Sequence, residues 1–382
     1  MITKKFVYLT SIIVFFSSIY ISCNMNASNK YTSKDTIKPF DHLNDPIVFA
    51  QMVVQNNTFL GIKLSPKLVG YVLIVIDIET QSIHDWIFVP NLYGYDVQDC
   101  CKVTIPSENG SRNVYCCSIS SSGTIVILDP TKTQLEYKST GYKDIGYICH
   151  KSTPSSVVLT DMIVNSETEG PSDLLFTAYD IDTNSSKQIR VSNTTREFLP
   201  YKTFSNGDLL VTTFTDTNCK LWRINIADSS TSEICTFSRS KKDYYFQRII
   251  YDNKIFIIKR NTNYIDDTII IYDLTNKSIK EITMPSEYNG DYLFGPFFTL
   301  NSNIYVTISE TNGDKVLIKK LNSTTCAFED LPEPFNTYNP CGKLYVCDSK
   351  LYFFDDATDF SFTVYDFEKK EIKTSKIKKV LN

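Results

Sequence analysis

From about residue 41 to the end of the chain, apolar residues come in short runs rich in Val, Ile, Tyr and Phe. Clusters of Asn, Asp, Gly and Ser separate the runs. β-Branched and aromatic side chains suit a pleated, half-buried surface, and the small polar residues close turns between strands. No long stretch keeps the spacing of an amphipathic helix. The pattern predicts an all-β body.

One unit recurs along it: an apolar strand, an Asp or Asn, a few turn residues, then a second strand. Copies lie at Val75-Ile76-Asp77-Ile78, Ile127-Leu128-Asp129, Ala178-Tyr179-Asp180-Ile181, Trp222-Arg223-Ile224-Asn225, Ile271-Tyr272-Asp273-Leu274, Ile318-Lys319-Lys320-Leu321 and Val364-Tyr365-Asp366-Phe367. The positions 77, 129, 180, 225, 273, 320 and 366 differ successively by 52, 51, 45, 48, 47 and 46. A period of roughly 40 to 50 residues is that of one four-stranded propeller blade. An Asp or Asn side chain closes such a turn by accepting backbone N–H bonds two residues on, so these aspartates read as structural. Lys320 breaks the rule, and its turn must close another way.

Two further strands precede each copy. The fifth unit predicts strands over Tyr245–Tyr251, Lys254–Lys259, Thr268–Tyr272 and Ser278–Thr283, with a turn at Asp252-Asn253. Four antiparallel strands per unit, stacked radially, leave only short edges. The expectation is a β-propeller of seven four-stranded blades over 41–382. Six blades is the alternative, because the first unit (Ile47–Pro90) is the least regular. The string Tyr272-Asp273-Leu274-Thr275-Asn276, with Met284-Pro285 and Leu331-Pro332 after such copies, resembles kelch-like propellers. That resemblance implies the fold and leaves the ligand open.

The N-terminus has a different pattern. Lys4 and Lys5 precede an uncharged apolar run, Phe6–Ser22, that ends in Ile21-Ser22-Cys23. This is the layout of a signal peptide over 1–22, and its end resembles a bacterial lipoprotein cleavage box. Cys23 is the expected lipidation site, and 23–40 reads as lipid attachment and flexible tether. The expected location is extracytoplasmic and membrane-anchored, facing the periplasm or on the cell surface. A plain cleaved signal and an uncleaved anchor are the other readings.

Net charge is -4 over 382 residues, which argues against a nucleic-acid partner, since phosphate binding needs a basic face. The three histidines, His42, His84 and His150, fall in separate units and have no ligand spacing. No cofactor or metal is expected. The position numbers of Cys100 and Cys117 add to the same value as those of Cys101 and Cys116, so each pair faces across a hairpin. Either is a disulfide candidate, and Cys219 with Cys235 flanks the Asn225 turn in a similar way.

In a propeller, connections from the outer strand of one blade to the inner strand of the next land beside the axis. Candidate binding residues there are Tyr95, Asp96, Tyr142, Asp144, Arg196, Tyr201, Tyr244, Asp291, Tyr292 and Tyr338. Arg248 is expected to join them as an exposed cation able to pair with an acidic ligand. Tyr offers a flat apolar face and a hydroxyl, which suits a glycan, peptide or protein partner. The sequence therefore points to a membrane-anchored binding module, and packing between blades is the plain alternative for each residue. A polysaccharide-acting enzyme, glycosidase or lyase, is the other function class. It would use paired carboxylates among Asp96, Asp144, Asp243 and Asp291.

Overall fold

The computed structural model describes residues 53–376 apart from 56–57, 66–69, 78–81, 91–96, 108–109, 120–123, 129–135, 140–149, 152–155, 164–172, 192–196, 241–242, 262–266, 289–291, 311–315, 333–336, 339–341, 348 and 356–360. Side chains are described mainly from residue 173 onward and at selected positions between 103 and 139. The signal segment, Cys23, the tether and His42 lie outside the described residues.

Strands fill this part of the chain, and its one regular helix among the described residues is a 3-10 turn at Ser286–Tyr288. The first sheet comprises β1 (Val53–Gln55), β2 (Thr58–Ser65), β3 (Gly70–Asp77) and β4 (Ser82–Pro90). The second has β5 (Val97–Ser107), β6 (Gly110–Ile119), β7 (Thr124–Leu128) and β8 (Glu136–Ser139). The third has β9 (His150–Lys151), β10 (Ser156–Ile163), β11 (Asp173–Asp180) and β12 (Ser185–Val191). The fourth has β13 (Glu197–Thr203), β14 (Leu209–Phe214), β15 (Asn218–Ile224) and β16 (Thr231–Ser238). In the fifth are β17 (Asp243–Tyr251), β18 (Lys254–Asn261), β19 (Thr268–Asp273) and β20 (Ile279–Thr283). In the sixth are β21 (Tyr292–Leu300), β22 (Asn303–Glu310), β23 (Val316–Leu321) and β24 (Phe328–Asp330), with β25 (Thr337–Tyr338) also on β23. The seventh has β26 (Gly342–Cys347), β27 (Lys350–Asp355), β28 (Ser361–Asp366) and β29 (Glu371–Lys376). Each sheet is an antiparallel meander in chain order. The strands predicted for the fifth unit match to within two residues.

The repeated Asp or Asn sits where the third strand of a sheet turns into the fourth. Asp273 Oδ1 accepts the N–H of Thr275 at 2.9 Å and of Asn276 at 3.2 Å. Asn225 does the same for Ala227 and Asp228, and Asp366 for Glu368 and Lys369. In the sixth sheet this position belongs to Asn322, which caps Thr324 and Thr325. Lys320 is thus two residues out of phase: it pairs with Glu329 inside the β23–β24 ladder, and the turn keeps the common chemistry.

Four residues after each of these caps, and after Asp180, which accepts the N–H of Thr183, the backbone turns left-handed: Asn184 (φ 54), Ser229 (φ 64), Lys277 (φ 60), Cys326 (φ 64) and Lys370 (φ 55). The first-to-second strand turns at Asp252-Asn253 and Asn301-Ser302 have positive φ at both residues. Such turns match the right-handed twist of a two-residue hairpin.

The core is a series of wedges between neighbouring sheets. Val114, Ile125 and Ile127 of the second sheet meet Tyr179 and Ile181 of the third. Leu174, Phe176 and Ile189 meet Leu209, Val211 and Ile224. Leu210, Phe214 and Leu221 meet Ile255, Ile257 and Tyr272. Phe256, Ile258 and Ile269 meet Phe294, Ile304 and Val306. Phe298, Tyr305 and Ile318 meet Leu351 and Tyr365. Alternate residues of one strand, such as Phe256 and Ile257, thus serve the wedges on opposite faces of its sheet. No sheet buries both faces without two neighbours, at about 1.5–3 kcal/mol per fully buried large apolar side chain.

Polar bonds align the sheets end to end. Tyr251 Oη donates to Ser302 O at 2.6 Å and Ser349 Oγ to Asn301 Oδ1 at 2.7 Å, both among first-to-second strand turns. Lys187 Nζ reaches Ala227 O at 2.6 Å and Lys280 Nζ reaches Thr325 O at 3.3 Å, each in the next sheet's Asp/Asn turn. First strands adjoin in turn: β13 with β17, β17 with β21, β21 with β26, and β26 with β1.

Candidate functional site

These bonds bring together tight turns of the third and fourth sheets, and of the fifth, sixth and seventh, at one end of each group. Strand alternation then sends the connections into each first strand, and those between second and third strands, to the other end. The best-described site at this connection end lies between the fourth and fifth sheets.

Arg239 follows β16 and its guanidinium lies 4.9 Å over the Phe214 ring. Its Nε donates to Asp243 O at 3.0 Å and its Nη1 to Thr215 O at 3.2 Å. Asp243 opens β17 and is buried at 9% exposure. Its Oδ2 accepts Ser240 N–H at 3.0 Å, and Lys259 Nζ stands 3.6 Å from the same oxygen. The β17–β18 register sets Tyr245 opposite Lys259. Below this mouth Tyr245 stacks on Phe214 at 5.7 Å, and burial pushes its phenol up. Asp243, Arg239 and Lys259 therefore gather beside the aromatic packing between the fourth and fifth sheets.

Arg248 lies deeper in the same wedge, and here the sequence expectation is corrected. It is 3% exposed within β17, opposite Ile257 of the wedge core, so it is not an exposed loop cation. Burial lowers its pKa to about 9, and the nearby Cys219 thiol opposes that shift. Tyr292 lies where expected, at the entry to a first strand. It is half-buried at the start of β21, packs edge-on to Tyr288 at 5.1 Å and flanks the wedge between the fifth and sixth sheets. Tyr338 falls in β25, opposite Val316 of the third strand β23, and so at the outer side of its sheet instead of the axis. Asp243, expected as a reactive carboxylate, is occupied by Ser240 and Lys259.

Tyr201 and Tyr244 lie on the first strands β13 and β17, with side chains outside the described residues. Tyr201 sits in a register shift between Leu199 and Lys202, and similar shifts recur in β5, β17 and β21. Bulges of this kind re-aim side chains. Tyr95, Asp96, Tyr142, Asp144, Arg196 and Asp291 lie outside the described residues.

The register sets Cys100 opposite Cys117 and Cys101 opposite Cys116, as their spacing predicts. Among the described cysteines no disulfide forms. Cys219 pairs with Phe237 and Cys235 with Leu221, so the two cysteines are offset diagonally. Diagonal neighbours lie about 7–8 Å apart, beyond the reach of a disulfide. Burial pushes both thiols up to about 12.

Arg239 and Lys259 were not singled out by sequence. The turn at Asp252-Asn253 shows that the start of β17 faces the end of β18, but Tyr245 meets Lys259 only through the bulge between Tyr245 and Gln247, which the sequence did not reveal. No group of potential metal ligands occurs among the described residues.

No protein-family model matches the chain, and no curated protein matches it. Solved structures do. A Mycobacterium tuberculosis puromycin-hydrolyzing peptidase superposes with a TM-score of 0.60 at 10% identity, covering 89% of this chain and 55% of its own. A puromycin hydrolase complexed with PGG gives 0.58 at 10% identity, with 87% and 54% covered. A functionally unknown protein from Desulfotomaculum acetoxidans gives 0.50 at 13% identity, with 83% and 95% covered. The chain spans about half the length of the two peptidases. These peptidases contain β-propellers, and at such identity the likeness concerns the fold alone.

Proposed function

We propose that the seven sheets are the blades of one β-propeller, exported and anchored through a lipid on Cys23, that serves as a binding module for an extracytoplasmic partner. The carrying observation is the inequality of its two ends. At the tight-turn end, caps such as Asn225, Asp273, Asn322 and Asp366 meet their own backbone, and Lys187 and Lys280 tie neighbouring sheets together. Those groups are occupied in holding the fold. The connection end carries the first-strand bulges and the charged group formed by Arg239, Asp243 and Lys259. Loops held by a rigid scaffold are the usual seat of binding.

The blade count is supported by seven meanders of like length and by the adjoining of β26 and β1. The test is a glycan array beside a pull-down from envelope extract, using the full chain. Tyr95→Ala with Tyr244→Ala should abolish capture, whereas Lys277→Ala at the tight-turn end should leave it intact. Full capture by the double variant would remove this reading. Incorporation of labelled palmitate, lost in Cys23→Ala, tests the anchor.

A further inference from the structure

We propose that Cys100 and Cys117 form a disulfide across the β5–β6 hairpin, while Cys101 and Cys116, one rung nearer the turn, stay thiols. The spacing of the four cysteines leaves both pairings open, and the ladder that holds them decides between the two.

From Cys100 to Ser107, β5 runs in one unbroken register with β6, and the shift lies earlier, between Val97 and Cys100. Rungs of an antiparallel pair alternate between hydrogen-bonded and non-hydrogen-bonded ones. Pro106 fixes the phase. It stands opposite Ser111, on a strand at the end of its sheet's order. Having no N–H, it fills a non-hydrogen-bonded rung without loss and would forfeit a ladder bond in the other kind. Ser107 and Gly110 agree with this phase. They close the hairpin across two residues, and the pair flanking such a turn carries the turn's own hydrogen bond. Counting back from Pro106, the rungs at Thr104, Lys102 and Cys100 are non-hydrogen-bonded, and the rung at Cys101 is hydrogen-bonded.

The two kinds of rung differ in how near they bring the β-carbons. A disulfide needs about 3.5–4.5 Å between them. Opposed residues have theirs about 4.5–5.5 Å apart, nearer in the non-hydrogen-bonded rungs. The Cys100–Cys117 rung therefore closes with the smaller adjustment. Period-two alternation puts Cys101 and Cys116 on the other face, where Cys116 is 0% exposed in the wedge core with Val103, Val114 and Tyr179. No disulfide is formed by Cys116.

The bond forms by exchange with a disulfide-bearing oxidant. One cysteine thiolate displaces a thiol from the oxidant, and the second then displaces the other. Two thiol hydrogens leave as protons while the oxidant is reduced to two thiols. An exported chain meets such oxidants outside the reducing cytosol. Cys100 lies four residues after Asp96 in the chain, so the bond pins the first strand close to the connection bearing Tyr95 and Asp96.

The experiment treats the reduced, folded full chain with oxidised glutathione, blocks remaining thiols with N-ethylmaleimide and digests with trypsin. The peptide ending at Lys102 should emerge joined to the one beginning at Asn113 and separate on reduction. Each of those peptides holds one cysteine of either pair, so alanine variants assign the bond. The link should persist in Cys101→Ala and in Cys116→Ala, and vanish in Cys100→Ala and in Cys117→Ala. Should Cys116→Ala fail to fold, Cys101→Ala makes the same discrimination. Wild type that stays unlinked, a link that survives Cys100→Ala, or one lost in folded Cys101→Ala would each overturn the proposal. The oxidant is added to purified protein, so failure here leaves export standing, and export is judged by palmitate labelling of Cys23.

Discussion

Arg260 and Asp267 form a two-pronged ion pair at the end of the fifth sheet, and together they hold the backbone of Phe294 in the sixth. Arg260 Nε donates to Asp267 Oδ1 at 2.9 Å and Nη2 to Oδ2 at 2.7 Å. Asp267 Oδ2 also accepts Phe294 N–H at 2.8 Å, and Arg260 Nη2 donates to Phe294 O at 2.7 Å. The Asp267 side chain has no exposure and that of Arg260 only 16%. Both main-chain groups of an inner-strand residue beside the β21 bulge are thereby satisfied by side chains of the neighbouring sheet.

Removing one member of a buried pair strands the other charge. Asp267→Ala is expected to cost about 3–5 kcal/mol, read as a lower urea midpoint at constant slope. A loss below about 1 kcal/mol would mean the pair is solvated.

Lys277 occupies a left-handed position at φ 60, where a β-carbon costs roughly 1–2 kcal/mol. Lys277→Gly should raise stability by up to about 1 kcal/mol, less the entropy glycine adds to the unfolded chain. Lys277→Val should lower it. Opposite signs in thermal melts would discredit the shared turn geometry.

Asp273 is held ionised below the usual carboxylate range by the N–H groups of Thr275 and Asn276. A depressed folded pKa adds stability that is present above the unfolded value of about 3.9 and lost as pH falls through the folded one. Asn225 and Asn322 perform the same capping without a charge. Asp273→Asn should therefore melt like wild type at pH 7 and lose less stability on acidification below about pH 4. Parallel acid titrations of the two proteins check this.

The β-carbon of an alanine at Gly295 would sit 2.1 Å from Thr307 Oγ1 and 3.3 Å from its Cβ. Gly295→Ala should destabilise by about 1–3 kcal/mol through overpacking, and adding Thr307→Ala should recover part of the loss. Additive effects in a double-mutant cycle would contradict that contact.

Much of the fold could be read from the sequence because its signals are local. An Asp followed by turn residues says where one hairpin closes, and period-two alternation fixes which residues face a neighbouring sheet. Lys320 misled because Leu321-Asn322 repeats the strand-then-cap order two residues later, and only the hydrogen bonds at Asn322 set the phase. The site was harder to read for a different reason. Whether Arg248 points into a wedge or into solvent depends on the sheet beyond it, and no local pattern in β17 carries that information. Cys219 and Cys235 likewise flank one turn, but the strand register pairs Cys219 with Phe237 and Cys235 with Leu221.

The proposed radial arrangement of the seven sheets carries every functional statement above. Electron microscopy of the purified chain, viewed down the axis, tests it most directly. Seven wedges of similar size, with the first beside the last, are the predicted image. Six wedges, or two stacked sandwiches without a common axis, would contradict it.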